Sequence, residues 1–183
     1  MQIQGVPLLS EVVHDFQTKD GIPIKVRPLQ LEDAAHLVDI FENMGSESRY
    51  ARFNVPMENP DPEMVYQEAA EMADVERPQN DGWLAFADLP GKPDTPVAGI
   101  RYIRTAEGEA EVAISVRDDM QNKGIGTAML VFLFEQAKKA GITRLVALAQ
   151  RNNRPLWQIL TKAPYPIKRT PDGSNVYLEV ELV

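Results

Sequence analysis

The sequence contains no cysteine, and this absence excludes disulfide bonds, thiolate catalysis and cysteine-ligated metal sites. Histidine is scarce as well. The two histidines, His14 and His36, lie in unrelated contexts without the spacing of paired metal ligands. We therefore predict that the protein has no metal site.

Long apolar runs and an excess of positive charge are also missing. No stretch approaches the roughly 18 consecutive apolar residues of a membrane-spanning helix, and the N-terminus lacks a basic region followed by an apolar one. We expect a cytoplasmic protein without a membrane partner. Because 27 Asp and Glu residues outnumber 19 Lys and Arg residues, nucleic acid is not an expected partner either.

The chain is long enough for one domain with its own apolar core. It has 183 residues, of which 44% are apolar and 25% charged, close to the averages of globular proteins. Residues 1–19 carry no sustained apolar period and predict an N-terminal arm. Residues 20–183 form the predicted domain, which opens with a strand whose apolar residues Ile22, Ile24 and Val26 alternate.

Two helices and three strands are predicted next. The first helix ends near Gly45, and its apolar stripe is Leu31, Ala34, Ala35, Val38 and Phe41. The second follows the cap Asp61 and the proline Pro62, and its buried side is Met64, Val65, Ala69 and Met72. Residues 83–87, 97–103 and 110–116 then alternate as strands with short, antiparallel connections.

The second half of the domain adds a crossover. A helix begins after Gly124 and stops at Gly141, and its stripe is Ile125, Ala128, Met129, Phe132, Leu133, Gln136 and Ala140. Residues 145–149 are apolar on both faces, which predicts a covered strand parallel to residues 110–116. A short helix from about Asn153 and a strand over residues 176–182 complete an α/β fold with a mixed sheet.

The turn over residues 117–127 lies between a strand and the start of that long helix. Such a helix start offers free N–H groups and a positive dipole end, and Gly124 and Gly126 let an anion approach the backbone. The dinucleotide fingerprint fails because Met129 stands where a third glycine is needed, and the nucleotide loop fails because Met129-Leu130 replace Gly-Lys. A glycine-rich turn without a ligand is the alternative to a phosphate site.

Three residues of this turn, Gln121, Gly124 and Gly126, match a family signature: Arg or Gln, two residues, Gly, any residue, then Gly or Ala. The chain resembles the GCN5-related N-acetyltransferase (GNAT) superfamily, most strongly over residues 110–162 and more weakly over residues 21–53. It is similar there to bacterial protein-lysine acetyltransferases. The resemblance implies a single GNAT-like domain: a mixed, mostly antiparallel sheet with a parallel, splayed strand pair, flanking helices, and acetyl-CoA as cosubstrate.

The resemblance also implies the residues that bind acetyl-CoA. Backbone N–H groups of the turn would hold the pyrophosphate, and the Lys123 side chain would add positive charge. The residues of this turn are Gln121, Asn122, Lys123, Gly124, Ile125, Gly126 and Thr127. The pantetheine arm would lie between the splayed strands, beside the backbone of Ile114, Ser115 and Val116. Asn153 matches an asparagine that faces this arm, although asparagine is equally favoured as an ordinary helix N-cap.

Acetylation of an amine calls for a base, because an amine with a pKa near 10.4 is neutral in only roughly one molecule in 2,500 at pH 7. Glu111 matches the glutamate that serves as general base in similar enzymes. An exposed strand glutamate is the alternative, and Glu109 on the same face is the rival base. Backbone N–H groups near Ile114 would polarise the thioester. Leu160 stands where many relatives have an acidic tyrosine, which leaves Tyr165 or water as the source of the proton.

The sequence does not identify the amine that accepts the acetyl group. Pro155 and Pro164-Tyr165 depart from the family pattern near the acceptor cleft, so a protein lysine and a small amine are both candidates. Two other hypotheses are a catalytically silent acyl-CoA-binding or sensing module and a domain that binds another phosphorylated ligand. The sequence makes no prediction of the oligomeric state.

Overall fold

The structure, a computed structural model, describes residues 12–183. Its α-helices and strands follow in the order β1 (His14–Gln17), β2 (Pro23–Pro28), α1 (Ala34–Glu42), α2 (Ser46–Phe53), α3 (Pro62–Ala73), β3 (Asn80–Leu89), β4 (Lys92–Ala106), β5 (Glu109–Val116), α4 (Ile125–Lys139), β6 (Arg144–Gln150), α5 (Arg154–Leu160), β7 (Ile167–Asp172) and β8 (Asn175–Glu181). No helix in this part of the chain is long and apolar enough to cross a bilayer. The cytoplasmic location stays a prediction.

One eight-stranded sheet organises the described residues, in the order β1-β2-β3-β4-β5-β6-β8-β7. The pairing is antiparallel throughout except between β5 and β6, which run parallel. This topology confirms the predicted α/β class and mixed sheet. The antiparallel succession of β3, β4 and β5 is also confirmed, because short turns join these strands.

The described part of the predicted N-terminal arm belongs to the sheet. Residues His14–Gln17 form β1, which pairs with β2 so that His14 lies opposite Val26. The His14 ring stacks on Phe132 of α4 with 5.0 Å between ring centroids. Residues 1–11 of the arm lie outside the described residues.

Two predicted stripes are wrong in detail. The buried residues of the first helix are not those of the predicted stripe from Leu31, because residues 31–33 form a 3₁₀ turn and α1 begins only at Ala34. The Leu31 side chain is 63% exposed, whereas Ile40 and Met44 are buried. In α3 the predicted Met64 is 61% exposed, and the buried positions are the small residues Ala69 and Ala73. Helix α3 contacts α1, so small side chains suffice on its inner face.

The crossover from β5 through α4 to β6 is confirmed. Eight residues of α4 are buried, and Gly141 adopts the left-handed φ of +76° that ends the helix. The expectation that residues 145–149 are covered on both faces is wrong for Leu148, which is 47% exposed. Leu148 lines a cleft that opens where β5 and β6 diverge.

A buried ion pair fastens β2 to the turn before α1. Both terminal nitrogens of Arg27 donate to the Asp33 carboxylate at 2.7 Å, and His36 Nδ1 lies 2.8 Å from it. Burial alone raises the pKa of Asp33, but hydrogen bonds from Arg27 and His36 outweigh it and hold this pKa well below its usual range. The stabilisation is therefore complete above the unfolded pKa of about 3.9 and is lost as pH falls toward the folded pKa.

We expect Asp33→Asn to lower the free energy of unfolding at pH 7 by about 1 to 3 kcal/mol, because the buried Arg27 guanidinium loses its partner. Thermal unfolding measured between pH 7 and pH 2 checks this. Below about pH 4, the melting temperature of the wild type should fall more steeply than that of the variant. Parallel profiles in the two proteins would contradict the assignment.

Candidate active site

A cleft opens between β5 and β6. The two strands pair over only three positions, where Glu109, Ala110 and Glu111 lie opposite Arg144, Leu145 and Val146. Beyond these pairs the strands diverge and enclose a cleft of about 260 Å³ lined by both of them. This is the parallel, splayed strand pair that the resemblance implies. Backbone groups on the β6-facing edge of residues 112–116 therefore have no partner in that ladder.

Helix α2 bridges the open end of the cleft. Its Arg52 Nε donates to Ser115 Oγ of β5 at 3.1 Å. On the opposite side, Gln150 Nε2 of β6 donates to the Tyr50 carbonyl and to Asn54 Oδ1, both at 3.1 Å. The divergence of β5 and β6 is thus held from both sides by one helix. The weaker resemblance over residues 21–53 includes this helix but implies no role for it.

The turn before α4 has the geometry of an anion site. Asn122 and Gly124 both adopt left-handed φ, +61° and +89°, which bends the backbone around the helix start. The first cap bond runs from the Ala128 N–H to the Gly124 carbonyl at 3.1 Å. The N–H groups of the residues between them have no carbonyl partner within α4. The residues that carry this N–H set, 125–127, line the cleft.

The Gln121 side chain braces the turn. Its amide nitrogen donates to the Val116 carbonyl and Ser48 Oγ, each at 3.3 Å, and to Asp118 Oδ1 at 3.1 Å. Gln121 therefore ties β5, α2 and the turn together. Its side chain fixes the loop, while the backbone N–H groups beyond it are the ones available to an anion.

The positive charge at the turn is divided between two lysines. Lys123 forms an ion pair with Asp20, so its ammonium is held toward the β1–β2 turn. Lys19 bonds the same loop: its backbone N–H donates to the Lys123 carbonyl at 2.9 Å, and its Nζ lies 3.4 Å from the Asn122 carbonyl. Lys19 lines the cleft. Sequence reasoning missed Lys19 because only the hairpin brings it to the turn.

Of the two roles considered for Asn153, the structure shows the helix N-cap. Its Oδ1 accepts the Leu156 N–H at 3.2 Å, which makes it the N-cap of α5. It also lines the cleft, as do the predicted residues of β5 and the turn apart from Lys123.

The two candidate carboxylates have different surroundings. Glu109 accepts from Thr105 Oγ1 at 2.7 Å and pairs with Arg144 at 2.5 Å. The Thr105 hydrogen bond, with help from Arg144, lowers the pKa of Glu109 although burial opposes this. Glu111 is exposed, lines the cleft and stands at the last paired position before the strands diverge. Within residues 12–183 it forms no ion pair.

No tyrosine among the described residues lines the cleft. Leu160 is buried and lines the cleft, whereas Tyr165 packs edge-on against Phe134 and its hydroxyl accepts from Lys138 Nζ at 3.1 Å. The titratable side chains that line the cleft are Lys19, Arg52, Glu111 and Lys162. Among the described residues, no three His, Asp or Glu side chains cluster as metal ligands would.

Comparison with known proteins agrees with this geometry. The family model "Acetyltransferase (GNAT) domain" matches residues 24–164, and the chain belongs to this family. It is 24% identical over 158 residues to Acetyltransferase PA5475 of Pseudomonas aeruginosa. This alignment covers 85% of the present chain and 82% of that protein.

Solved structures share the fold. The GNAT domain of S. lividans PAT superposes with a TM-score of 0.76 at 27% identity, covering 97% of this chain and 99% of that one. PaiA N-acetyltransferase from Thermoplasma acidophilum, solved in complex with coenzyme A, has a TM-score of 0.60 at 20% identity. The superposition covers 86% of this chain and 98% of that one. The predicted membership of the GNAT superfamily is therefore confirmed.

Proposed function

We propose that the protein transfers the acetyl group of acetyl-CoA to an amine acceptor. One arrangement carries this proposal: free N–H groups of a helix start lie at one end of the cleft, and the Glu111 carboxylate lies at the closed end, where β5 and β6 part. The pyrophosphate arm of acetyl-CoA needs the first chemistry, and the amine that attacks the acetyl thioester at the other end of this long ligand needs the second. The complex of the PaiA relative with coenzyme A supports the choice of donor.

The residues of the chain suit acetyl-CoA as donor. The turn would hold the pyrophosphate through the N–H set at residues 125–127, with Lys19 adding charge. On the β6-facing edge of β5, the backbone groups of Ile114 and the Val116 N–H are available to the amide-bearing pantetheine arm, and Ser115 lies between them. Acetyl-CoA supplies the activated acetyl group.

Glu111 serves as general base in this proposal. It accepts a proton from the ammonium acceptor, directly or through one water, and so raises the neutral fraction that attacks the thioester carbonyl carbon. Backbone N–H groups near Ile114 stabilise the developing oxyanion. The C–S bond then breaks while the attacking nitrogen gives up its second proton to water, and the products are the N-acetylated acceptor and the coenzyme A thiolate. Without a tyrosine in the cleft, the thiolate takes its proton from water.

Ligand protection tests the donor. We expect acetyl-CoA and CoA to raise the melting temperature, since a ligand present at 100 times its Kd stabilises the folded state by about 2.7 kcal/mol. NAD and ATP at the same concentration serve as controls and should protect less. Equal protection by either of them would favour a site for another phosphorylated ligand.

Mass spectrometry with isotope-labelled acetyl-CoA tests the transfer step. A panel of small amines and a cell lysate provide the acceptors, and labelled product above the uncatalysed rate identifies an enzyme. The alternative of a silent acyl-CoA-binding module rests on Leu160, which occupies the place of a proton donor. Tight binding of acetyl-CoA with no labelled acceptor would favour that module.

A further inference from the structure

Two arginines share the face of the sheet that carries Glu111. Arg101 of β4 lies opposite Ala113, and the next pair along this face places Ile103 opposite Glu111. Arg52 reaches over the same face from α2 and is held there by its bond to Ser115 Oγ at 3.1 Å. Its guanidinium also stacks over the Phe53 ring, 4.7 Å from the centroid.

Neither guanidinium has a carboxylate partner among the described residues, and Arg52 uses only its Nε in the bond to Ser115. The Nε atom of Arg101 is buried and has no hydrogen-bond partner in this part of the chain. A guanidinium carries five N–H donors, and leaving them unpaired in a partly buried place costs stability. The arrangement therefore favours an anionic ligand.

The charges of the two arginines reinforce this conclusion. Burial first, and then the nearby charge of Arg101, lower the pKa of Arg52 to about 10, while Glu111 acts in the opposite direction. Burial likewise lowers the pKa of Arg101, and Glu111 and Glu68 partly offset it. Both groups stay protonated at neutral pH. Arg52 lines the cleft, and perturbed charged groups in or beside a cleft mark a candidate ligand site.

We propose that Arg52 and Arg101 bind a carboxylate of the acceptor, so that the substrate class is a small amine that carries a carboxylate, such as an amino acid. This proposal rests on the proposed acetyltransferase function. The planar fork of a guanidinium matches the two oxygens of a carboxylate. Glu111, on the same face, would then meet the amine of the same molecule. The acceptor would span opposite charges that the protein presents side by side.

Matched pairs of amines test the carboxylate preference. In β-alanine against propylamine a carboxylate replaces a methyl group, and in L-phenylalanine against phenethylamine and L-lysine against cadaverine it replaces a hydrogen. With acetyl-CoA as donor, we expect kcat/KM to be at least about tenfold higher for the carboxylated member, the worth of one charge-assisted hydrogen bond or more. Arg52→Gln and Arg101→Gln should each remove most of this ratio by slowing the carboxylated member far more than its uncarboxylated partner.

A matched variant controls for the loss of one positive charge. Arg169 is exposed on β7 and stacks over Trp157 outside the cleft, so Arg169→Gln should leave the ratio unchanged. Equal kcat/KM values within the pairs, or a ratio that persists in Arg52→Gln and Arg101→Gln, would overturn the proposal. A loss of equal size for both members of each pair would also overturn it, because the arginines would then act only through Glu111.

A binding measurement separates this proposal from the proposed function. In the presence of CoA, N-acetyl-β-alanine should raise the melting temperature of the wild type more than N-acetylpropylamine does, and the difference should vanish in Arg52→Gln. No difference in the wild type refutes carboxylate recognition even if propylamine or cadaverine is acetylated. A carboxylate-dependent shift without acetylation of any amine would support the anion site and count against the enzyme.

Discussion

Turnover of Glu111→Gln with a good acceptor should fall by about 10² to 10⁴ at neutral pH, the usual contribution of general acid-base catalysis. Glutamine keeps the length and hydrogen-bonding shape of the side chain but cannot accept a proton. Glu111 is exposed at the closed end of the cleft, so the substitution should leave the fold and acetyl-CoA binding intact. Rates should partly recover as rising pH deprotonates the amine in solution.

Glu109→Gln is the matched control. Glu109 shares the strand face with Glu111, but its carboxylate is engaged by Thr105 and Arg144. We expect a change in stability at most and little change in turnover. Steady-state rates from pH 6 to pH 10 for both variants decide the matter. Near-normal turnover in Glu111→Gln across this range would refute its role as base, and loss of acetyl-CoA binding would show instead that it shapes the cleft.

The turn and its helix could be predicted from the sequence because the signals there are local. Gly124 and Gly126 stand at a helix start, the stripe from Ile125 continues for four turns, and Gly141 ends it in a left-handed conformation. The parallel partner strand followed from its apolar run and from the handed crossover rule. A phosphate site at a helix start depends on backbone groups, so the motif alone is enough to suggest it.

The charged side of the cleft could not be predicted in this way. Arg52 lies in α2, and Arg101 and Glu111 lie on neighbouring strands, so only the register of β4 with β5 brings them to one face. Lys19 reaches the turn because the hairpin of β1 and β2 folds against Lys123. These contacts join distant segments and leave no periodic trace in the sequence. The spacing of apolar residues indicates which face of an element is buried, but it does not indicate which polar residues of different elements come into contact.

The buried faces of α1 and α3 also differ from the predicted ones because of contacts between distant segments. Apolar spacing identified both helices, but a 3₁₀ turn moved the start of α1, and α3 packs on α1 through the small residues Ala69 and Ala73. Met64 then faces outward although its position fits the predicted stripe. The existence of a helix depends on local pattern, whereas its buried face depends on what covers it.

Gly126→Val should weaken CoA binding by at least about 100-fold, which corresponds to roughly 2.7 kcal/mol or one to two charge-assisted hydrogen bonds. A Cβ at this position would come within 2.5 Å of Ile159 Cδ1 and 3.9 Å of Ile114 Cδ1. Both isoleucines line the cleft. The valine would therefore fill the space beside the free N–H groups where the proposed donor would place its pantetheine and pyrophosphate, and it would also press on α5.

That contact with Ile159 means that Gly126→Val alone could lose CoA binding by loosening α5. The double variant Gly126→Val, Ile159→Ala separates the two effects, because the smaller alanine makes room for the valine side chain and should restore much of the melting temperature. We expect its CoA affinity, measured by calorimetry, to stay far below that of Ile159→Ala. Equal affinities in these two proteins would mean that CoA binds elsewhere and that the turn at Gly124 and Gly126 serves only to join β5 to α4.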